Sequence, residues 1–479
     1  MTRIVAALLA AIVAVIALVD LSRTEYAHPG RELLDFRVAY CAGQAVLAHR
    51  DPYRVEPIRS CEHANPAPLL AAEPNLVMPW VLPGYVTALA VPLAALPFGV
   101  AMICFIALIV AAIGAGIVAV MRTTGASLGI AAPALIGAAF PSYALGQVGP
   151  FELLAVAATA LALRLRRFAL GGVAAAATCL EPHVGIFVCL AIAVAVPAAR
   201  IGLAVGIAAL AMLAVVATGP AAQLAYLTAD LPLQGIGQAG SHEQYSLTYA
   251  LIYAGFPEQA ALLAGTVSTC AMLVVSTLLA FTLARTRDIA YAAYLPAGLA
   301  LVGGVYLHLA QISLAIPALL LILRDAKTIG LRTTASIAVV LLAIPWPYPA
   351  TFKQVLPATL LLVGILVWHL SGSSLRAALV AVAVCWLALF PIENHPVAYP
   401  HNVAIARAPG DAFATISAGE AVGQTVIRDP ALLVVKLATW AGLLALLGAS
   451  ATLAFGPLGI KSVDGTSRAT TARPRERRA

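Results

Sequence analysis

Apolar runs follow one another along almost the whole chain, separated by short polar connections. They occupy 4–21, 77–97, 99–121, 127–145, 151–163, 168–181, 183–198, 201–218, 259–284, 289–307, 311–323, 333–345, 352–370, 375–390 and 431–454. Many of them reach the roughly 17–25 residues that a helix needs to cross a hydrocarbon core. The runs are continuous rather than alternating, which argues against a transmembrane barrel. The pattern predicts an all-α polytopic integral membrane protein with about 12–15 crossings. The shorter runs predict half-helices, or spans whose ends carry polar site residues. The run 4–21 follows Arg3, and no A-x-A cleavage site precedes a soluble domain. It reads as an uncleaved first span rather than a signal peptide.

Charge then orients these runs. Of 479 residues 62% are hydrophobic and 10% charged, with a net charge of +7. The excess is no nucleic-acid footprint, because most Lys and Arg lie in short connections and in the tail. Arg122, Arg164, Arg166, Arg167, Arg200, Arg285, Arg287, Arg324, Lys327, Arg376 and the tail Arg473-Pro474-Arg475-Glu476-Arg477-Arg478 fit one face, the cytoplasm. The other face then receives 146–150, 181–183, 219–257, the stretch near His308, 346–349 and 391–430, which are rich in Pro, Gly, Gln and His. One conflict remains. With 22–76 outside, 77–97 and 99–121 cannot both be full spans while Arg122 stays inside. The first of the two holds Pro79, Pro83, Pro92 and Pro97 and reads as re-entrant or interfacial. If it does span, Arg122 breaks the charge rule instead. The chain divides into a membrane module 1–325 with its outside loop 22–76, C-terminal spans 326–460 with the outside loop 391–430, and a basic cytoplasmic tail 461–479 that reads as disordered.

Five cysteines, Cys104, Cys179, Cys189, Cys270 and Cys385, lie in apolar runs and act as small hydrophobes. Cys41 and Cys61 share the first hydrophilic loop. If that loop faces an oxidising compartment they form a disulfide; otherwise they are two separate loop thiols.

Soluble-enzyme motifs are missing: no Walker A loop, H-E-x-x-H, paired C-x-x-C or G-x-S-x-G occurs. The richest stretch is the first loop. Residues 33–49 predict an amphipathic helix lying on the membrane, followed by the turn Asp51-Pro52-Tyr53, then Pro66, Pro68 and Pro74, and then Met78-Pro79-Trp80. Within it, Asp35 is an acid beside an apolar face near the membrane surface. Such acids are retained mainly where they have a partner or a reaction to serve.

A first span, D-F-x-x-x-Y from Asp35 to Tyr40, a D-P-Y turn and a Pro- and aromatic-rich approach to the next apolar run together resemble glycosyltransferase family 87. That family belongs to the GT-C superfamily of membrane transferases using polyprenyl-phosphate sugars. The stretch from Tyr143 to Pro150 resembles the family's G-Q-x-N element, with Gly149 where Asn is usual. The stretch from Arg164 to Glu181-Pro182, through Gly171-Gly172, resembles the next element, with Glu181 where Lys is usual. Gln244-Tyr245-Ser246-Leu247 and Tyr306-Leu307-His308 resemble two later elements. The motifs run in family order over about residues 1–325.

The resemblance implies a GT-C-type multi-span helical bundle with a large first extracytoplasmic loop, in a bacterial plasma membrane, with its site on the outer face. It implies transfer of a sugar, mannose by family analogy, from a polyprenyl-phosphate donor to a glycolipid or glycan acceptor, with inversion. Asp35 would be the base. One carboxylate suffices, because a phosphodiester leaving group needs no acid. Otherwise Asp35 is a loop ion-pair partner of Arg31 or Arg37. Arg31, Arg37 and Arg54 would hold the donor phosphate. Tyr40, Gln147, Glu181, His183, His242, Gln244, Ser246 and His308 are candidate donor or acceptor contacts. The plainer readings are helix-end and interhelical hydrogen bonds for Gln147, Glu181, His183 and His308, and a solvated loop for His242, Glu243 and Gln244. Glu181 would repel a phosphate, so the Lys role does not carry over to it. A metal site at His395 and His401, beside Glu393 and Asn394, has little support, and dependence on a divalent ion stays open. Two other readings compete: a non-enzymatic transporter or flippase of lipid-linked sugars, and a transferase fold without activity.

Overall fold

A computed structural model describes residues 33–65, 77–240, 244–351, 355–389 and 430–456. The first span 4–21, Arg31, His242, the late loop with His395 and His401, and the tail lie outside the described residues. Within them the chain is helical and contains no strand, and it is an all-α membrane protein.

The first loop folds as α1 (Leu34–Leu47) and α2 (Val55–Ala64), joined by a disulfide between Cys41 and Cys61. The helix expected over 33–49 is thus present. It buries Phe36, Val38 and Ala42 against α3 (Gly84–Ala94) and the start of α4 (Phe98–Thr124). Gln44 donates from Nε2 to the Ala94 carbonyl, and Gly43 leaves just enough room for Ala90 and Ala94. The 11 residues of α3 rise about 16 Å, roughly half a hydrocarbon core, so 77–97 is not a full crossing. The 27 residues of α4 are a full crossing, from Phe98 beside α1 to Arg122 in the last turn. One crossing therefore separates the first loop from Arg122, which removes the conflict left by hydropathy.

Next come α5 (Leu128–Leu145), α6 (Gly149–Arg164), α7 (Phe168–Ala177), α8 (Pro182–Ala195) and α9 (Arg200–Ala225). Gly172 and Gly202 let α7 and α9 touch backbone to backbone; a Cβ at either would collide with the carbonyl of Ala199 or Ala169. Small residues at such crossings are how membrane helices approach closely. The far side of α9 leaves Ile201, Met212 and Val216 exposed, as a lipid-facing surface requires. This helix bends at Gly219, whose φ is +81°, followed by Pro220.

The chain continues through α10 (Leu231–Gln238), α11 (Leu247–Tyr253), α12 (Glu258–Thr286), α13 (Tyr291–Leu299), a 3-10 turn Leu309–Ala315 and α14 (Ile316–Asp325). It closes with α15 (Ile329–Ala343), α16 (Pro347–Thr351), α17 (Leu356–Leu370), α18 (Leu375–Leu389) and α19 (Pro430–Phe455). The core joins Val156, Leu295 and Leu319 to Ala335, Leu342, Leu443 and Leu446, so one apolar interior crosses the 325/326 boundary.

Among the described residues, 5 helices are long and apolar enough to cross a membrane, and 6 more are apolar but only 10–17 residues long. That falls short of the hydropathy expectation because several of the expected runs form helices too short to cross, and the run 4–21 lies outside the described residues. The runs 168–181 and 183–198 meet at Glu181-Pro182, where Glu181 has extended backbone and Pro182 starts the next helix.

Three of the basic residues, Arg122, Arg164 and Arg324, collect at one end. Arg164 donates from Nη1 to the Thr123 carbonyl at 2.6 Å and pairs through Nη2 with Asp288 at 2.6 Å. Arg324 pairs with the same Asp288 at 2.9 Å and with Asp325 at 2.7 Å, while Tyr291 donates its hydroxyl to Asp325. This knot ties α4, α6, α13 and α14 together.

Candidate functional site

At the opposite end of the bundle the polar residues converge. α5 terminates at Gly146, which takes φ +75° in the left-handed C-cap position, and the chain turns through Gln147 and Val148 into α6. Both glycines of this turn are pressed. A Cβ at Gly146 would stand 2.9 Å from Phe36 Cβ, and one at Gly149 would stand 2.7 Å from Ser142 Oγ and 3.2 Å from the Ala310 carbonyl. Ser142 itself donates to the Ala310 carbonyl at 2.8 Å. The turn is thus wedged between α1, which carries Asp35, and the 3-10 turn after His308. A side chain at 149 would have to displace Ser142 or the Ala310 carbonyl.

Asp35 lies in the first turn of α1, partly exposed, where the helix dipole favours a negative charge. Its neighbour Phe36 stacks on Phe105 with centroids 4.4 Å apart. Gln147 is partly exposed on the turn.

The centre of the cluster is Gln311. His308 and Gln311 form a capping box: the His308 side chain accepts from the Gln311 backbone, and Gln311 Oε1 accepts from His308 N at 3.1 Å. With its oxygen held, Gln311 turns its Nε2 to the Glu181 carboxylate and to His183 Nε2 at 2.9 Å. Glu181 occupies the N-cap position of α8 but its side chain makes no cap bond there; it faces Gln311 and lies 3.6 Å from His183 Nε2. The His183 ring meets Tyr306 edge-on at 5.5 Å, and Tyr306 stacks on His308 at 4.7 Å. Gly303 and Gly304, with φ +76° and +87°, make the turn that leads into this pair.

A second layer braces the first. Gln244 pairs with His308 in an isolated antiparallel bridge, and its Oε1 accepts from Leu307 N at 2.9 Å. Tyr245 N donates to the Leu307 carbonyl at 2.8 Å. Ser246 caps α11 by accepting from Tyr249 N at 3.1 Å. From α19, the fully buried Lys436 donates Nζ to the Gln244 carbonyl at 2.7 Å and sits 3.5 Å from the Tyr249 ring centroid, while Trp440 Nε1 donates to the Tyr245 carbonyl at 2.8 Å.

The structure therefore brings Glu181, His183, Gln244, Ser246 and His308 into one neighbourhood, with Gln244 and Ser246 buried as braces. Arg37 and Tyr40 turn elsewhere. Arg37 is 2% exposed, donates to the Asn65 carbonyl at 2.6 Å and lies over Phe98. The Tyr40 hydroxyl donates to the Leu96 carbonyl at 2.8 Å. Both pack the first loop onto α3 and α4. Arg54 pairs with Asp51 within the D-P-Y turn at 3.4 Å. No group of three or more His, Cys, Asp or Glu side chains is placed to hold a metal ion among the described residues.

Gln311, Lys436 and Glu152 are absent from the sequence-derived set. Glu152, in the first turn of α6, is fully buried. The available signals were an ionisable residue inside an apolar run, for Glu152 and Lys436, and the His-x-x-Gln spacing of a capping box, for Gln311.

Fold and site together define an all-α membrane protein with an acid- and histidine-lined cluster at one end of its bundle. No protein-family model, curated protein or solved structure matches the chain.

Proposed function

We propose that this protein is a membrane glycosyltransferase. It moves a sugar, mannose by family analogy, from a polyprenyl-phosphate donor to a glycolipid or glycan acceptor at the outer face of the membrane. Asp35 takes the proton of the acceptor hydroxyl as that oxygen attacks the anomeric carbon, and the lipid phosphate leaves without protonation. A single displacement of this kind inverts the anomeric centre. The observation that supports the reading most is the wedge at Gly146 and Gly149, which puts the helix bearing Asp35 and the turn bearing Gln311 on two sides of one short loop. The basic knot at the other end of α4 and α6 agrees with an outer-face site under the positive-inside rule.

Transport or flipping of lipid-linked sugars is the second reading. The break in α9 at Gly219-Pro220 and the buried Glu152 favour it, since broken helices and intramembrane acids mark transport pathways.

The deciding experiment replaces Asp35 with Asn in the full-length protein and follows sugar transfer from a polyprenyl-phosphate donor in membranes. The expected loss is about 100-fold or more, as for removal of a general base. Full retained activity would sink the assignment of Asp35, and sugar movement across vesicles without covalent transfer would favour the second reading.

A further inference from the structure

Gln311 is buried, and its one side-chain amide serves His308, Glu181 and His183. The first of these fixes its orientation. The backbone N of His308 can only donate, so the amide atom 3.1 Å from it is the oxygen, Oε1. The other end of the amide is then NH2, which has two hydrogens and no acceptor capacity. That nitrogen meets the Glu181 carboxylate and, at 2.9 Å, Nε2 of His183. One hydrogen goes to each. A donor facing Nε2 at this distance requires a lone pair there, so Nε2 carries no proton and the single ring proton sits on Nδ1.

The protonation pattern decides what His183 can do. Glu181 and His183 Nε2 are 3.6 Å apart, yet they are not an ion pair, because both accept from the same amide. The imidazole is also no base, since its one lone pair is taken. What remains is a neutral donor, Nδ1–H. The two ring nitrogens diverge, so this N–H is turned away from Gln311. The His183 side chain is 33% exposed against 8% for Glu181, so the histidine is the member of the pair that a ligand can reach.

The surroundings restrict the acceptor. A phosphate oxygen is disfavoured beside the Glu181 carboxylate, whereas a neutral hydroxyl or ether oxygen is not. The partly exposed Tyr306 ring lies edge-on to His183 at 5.5 Å and stacks on His308 at 4.7 Å. An aromatic lining with a placed polar donor is how small neutral ligands are oriented.

We propose that Gln311 is a positioning residue: it fixes His183 as the neutral Nδ1–H tautomer, and that N–H donates to a hydroxyl or ring oxygen of the sugar on the lipid-linked substrate. The tautomer stands on the geometry alone, while the sugar contact rests on the glycosyltransferase reading.

Nitrogen-15 NMR of the histidine-labelled, full-length protein in lipid nanodiscs tests the tautomer. The His183 signals are those missing from His183→Asn. The expected spectrum has a protonated Nδ1 and an unprotonated Nε2. In Gln311→Glu a carboxylate oxygen still accepts from His308 N, but it cannot donate to His183, so Nε2 gains a proton. A proton on Nε2 in the wild type overturns the proposal whether or not the variant folds. So does a His183 spectrum that Gln311→Glu leaves unchanged.

The contact is read with two probes, a short-chain polyprenyl-phosphate mannose and the same polyprenyl phosphate without sugar. The first binds the wild type about tenfold or more tightly than the second. It also moves the His183 Nδ1 signal, which the bare phosphate leaves in place. His183→Phe abolishes the preference, whereas His183→Asn, whose amide nitrogen takes the place of Nδ1, keeps it. A ring needed only for packing gives the reverse order, and that result overturns the contact. Sugar transfer with an Nδ1 signal that ignores the sugar-bearing probe overturns the contact and leaves the glycosyltransferase reading standing. A wild type that binds neither probe removes both.

Discussion

Lys436 donates its Nζ to the carbonyl oxygen of Gln244 at 2.7 Å, joining residues 192 positions apart in sequence. The bond carries a buried charge to the residue that bridges to His308, so α19 braces the candidate site. Replacing Lys436 with Met keeps the volume and removes the donor, leaving a buried carbonyl unsatisfied. The expected loss is about 1–3 kcal/mol of stability, seen as a lower thermal midpoint, together with weaker sugar transfer. An unchanged midpoint and unchanged transfer would show that the clamp has no role.

Glu62 on α2 is fully buried in the first loop and accepts from Met78 N at 3.2 Å. Burial outweighs that bond and pushes its carboxyl from the ordinary 4.5 up to about 8. Between those values the folded chain keeps a proton that the unfolded chain has released. Stability therefore falls as pH rises from about 4.5 to 8 and levels off above. Glu62→Gln should flatten that slope and be the more stable protein at high pH. Melting curves of both proteins across this range decide it, and parallel curves would count against the buried acid.

Removing the Cys41–Cys61 disulfide frees a loop whose ends are 20 residues apart, worth about 3 kcal/mol by chain entropy. The double variant Cys41→Ser/Cys61→Ser should lose its protection from proteases within 33–65 before the membrane helices respond. Equal protease resistance with and without the bridge would show that packing on α3 alone holds the loop.

Asp288 balances two arginines, and its side chain is 10% exposed against 33% for Arg164 and 29% for Arg324. Asp288→Asn leaves both guanidinium groups without their shared partner. Because those groups are partly solvated, the expected cost is about 1–2 kcal/mol rather than that of a fully buried pair. The loss should exceed that of Arg164→Met alone; the reverse order would mean that Arg324 and Asp325 suffice.

Much of the architecture was legible in the sequence because it follows from one-dimensional patterns. Arg122, Arg164 and Arg324 meet at one end, and Glu181, His183 and His308 at the other, as charge and polarity sorting require. The helix over 33–49 and the pairing of Cys41 with Cys61 follow from amphipathicity and from a shared loop. The face that each residue of that helix presents was not legible. Arg37 looked like a phosphate ligand because an arginine beside a candidate base invites that role, yet its neighbours Phe98 and Asn65 enclose it. Gln311, Glu152 and Lys436 were not legible because each sits within an apolar run, where hydropathy averages a single polar residue away. The partners of Gln311 and Lys436 stand far off in sequence, 130 positions in the case of Gln311 and Glu181.

The arginine–aspartate knot also has a consequence for how the protein is made. A chain leaves the ribosome from its N-terminus, so Arg164 is already in the membrane when Asp288 follows, whereas Arg324 and Asp325 come later. Asp288 therefore has one arginine partner made before it and one made after it, so its charge is matched in two steps along the chain.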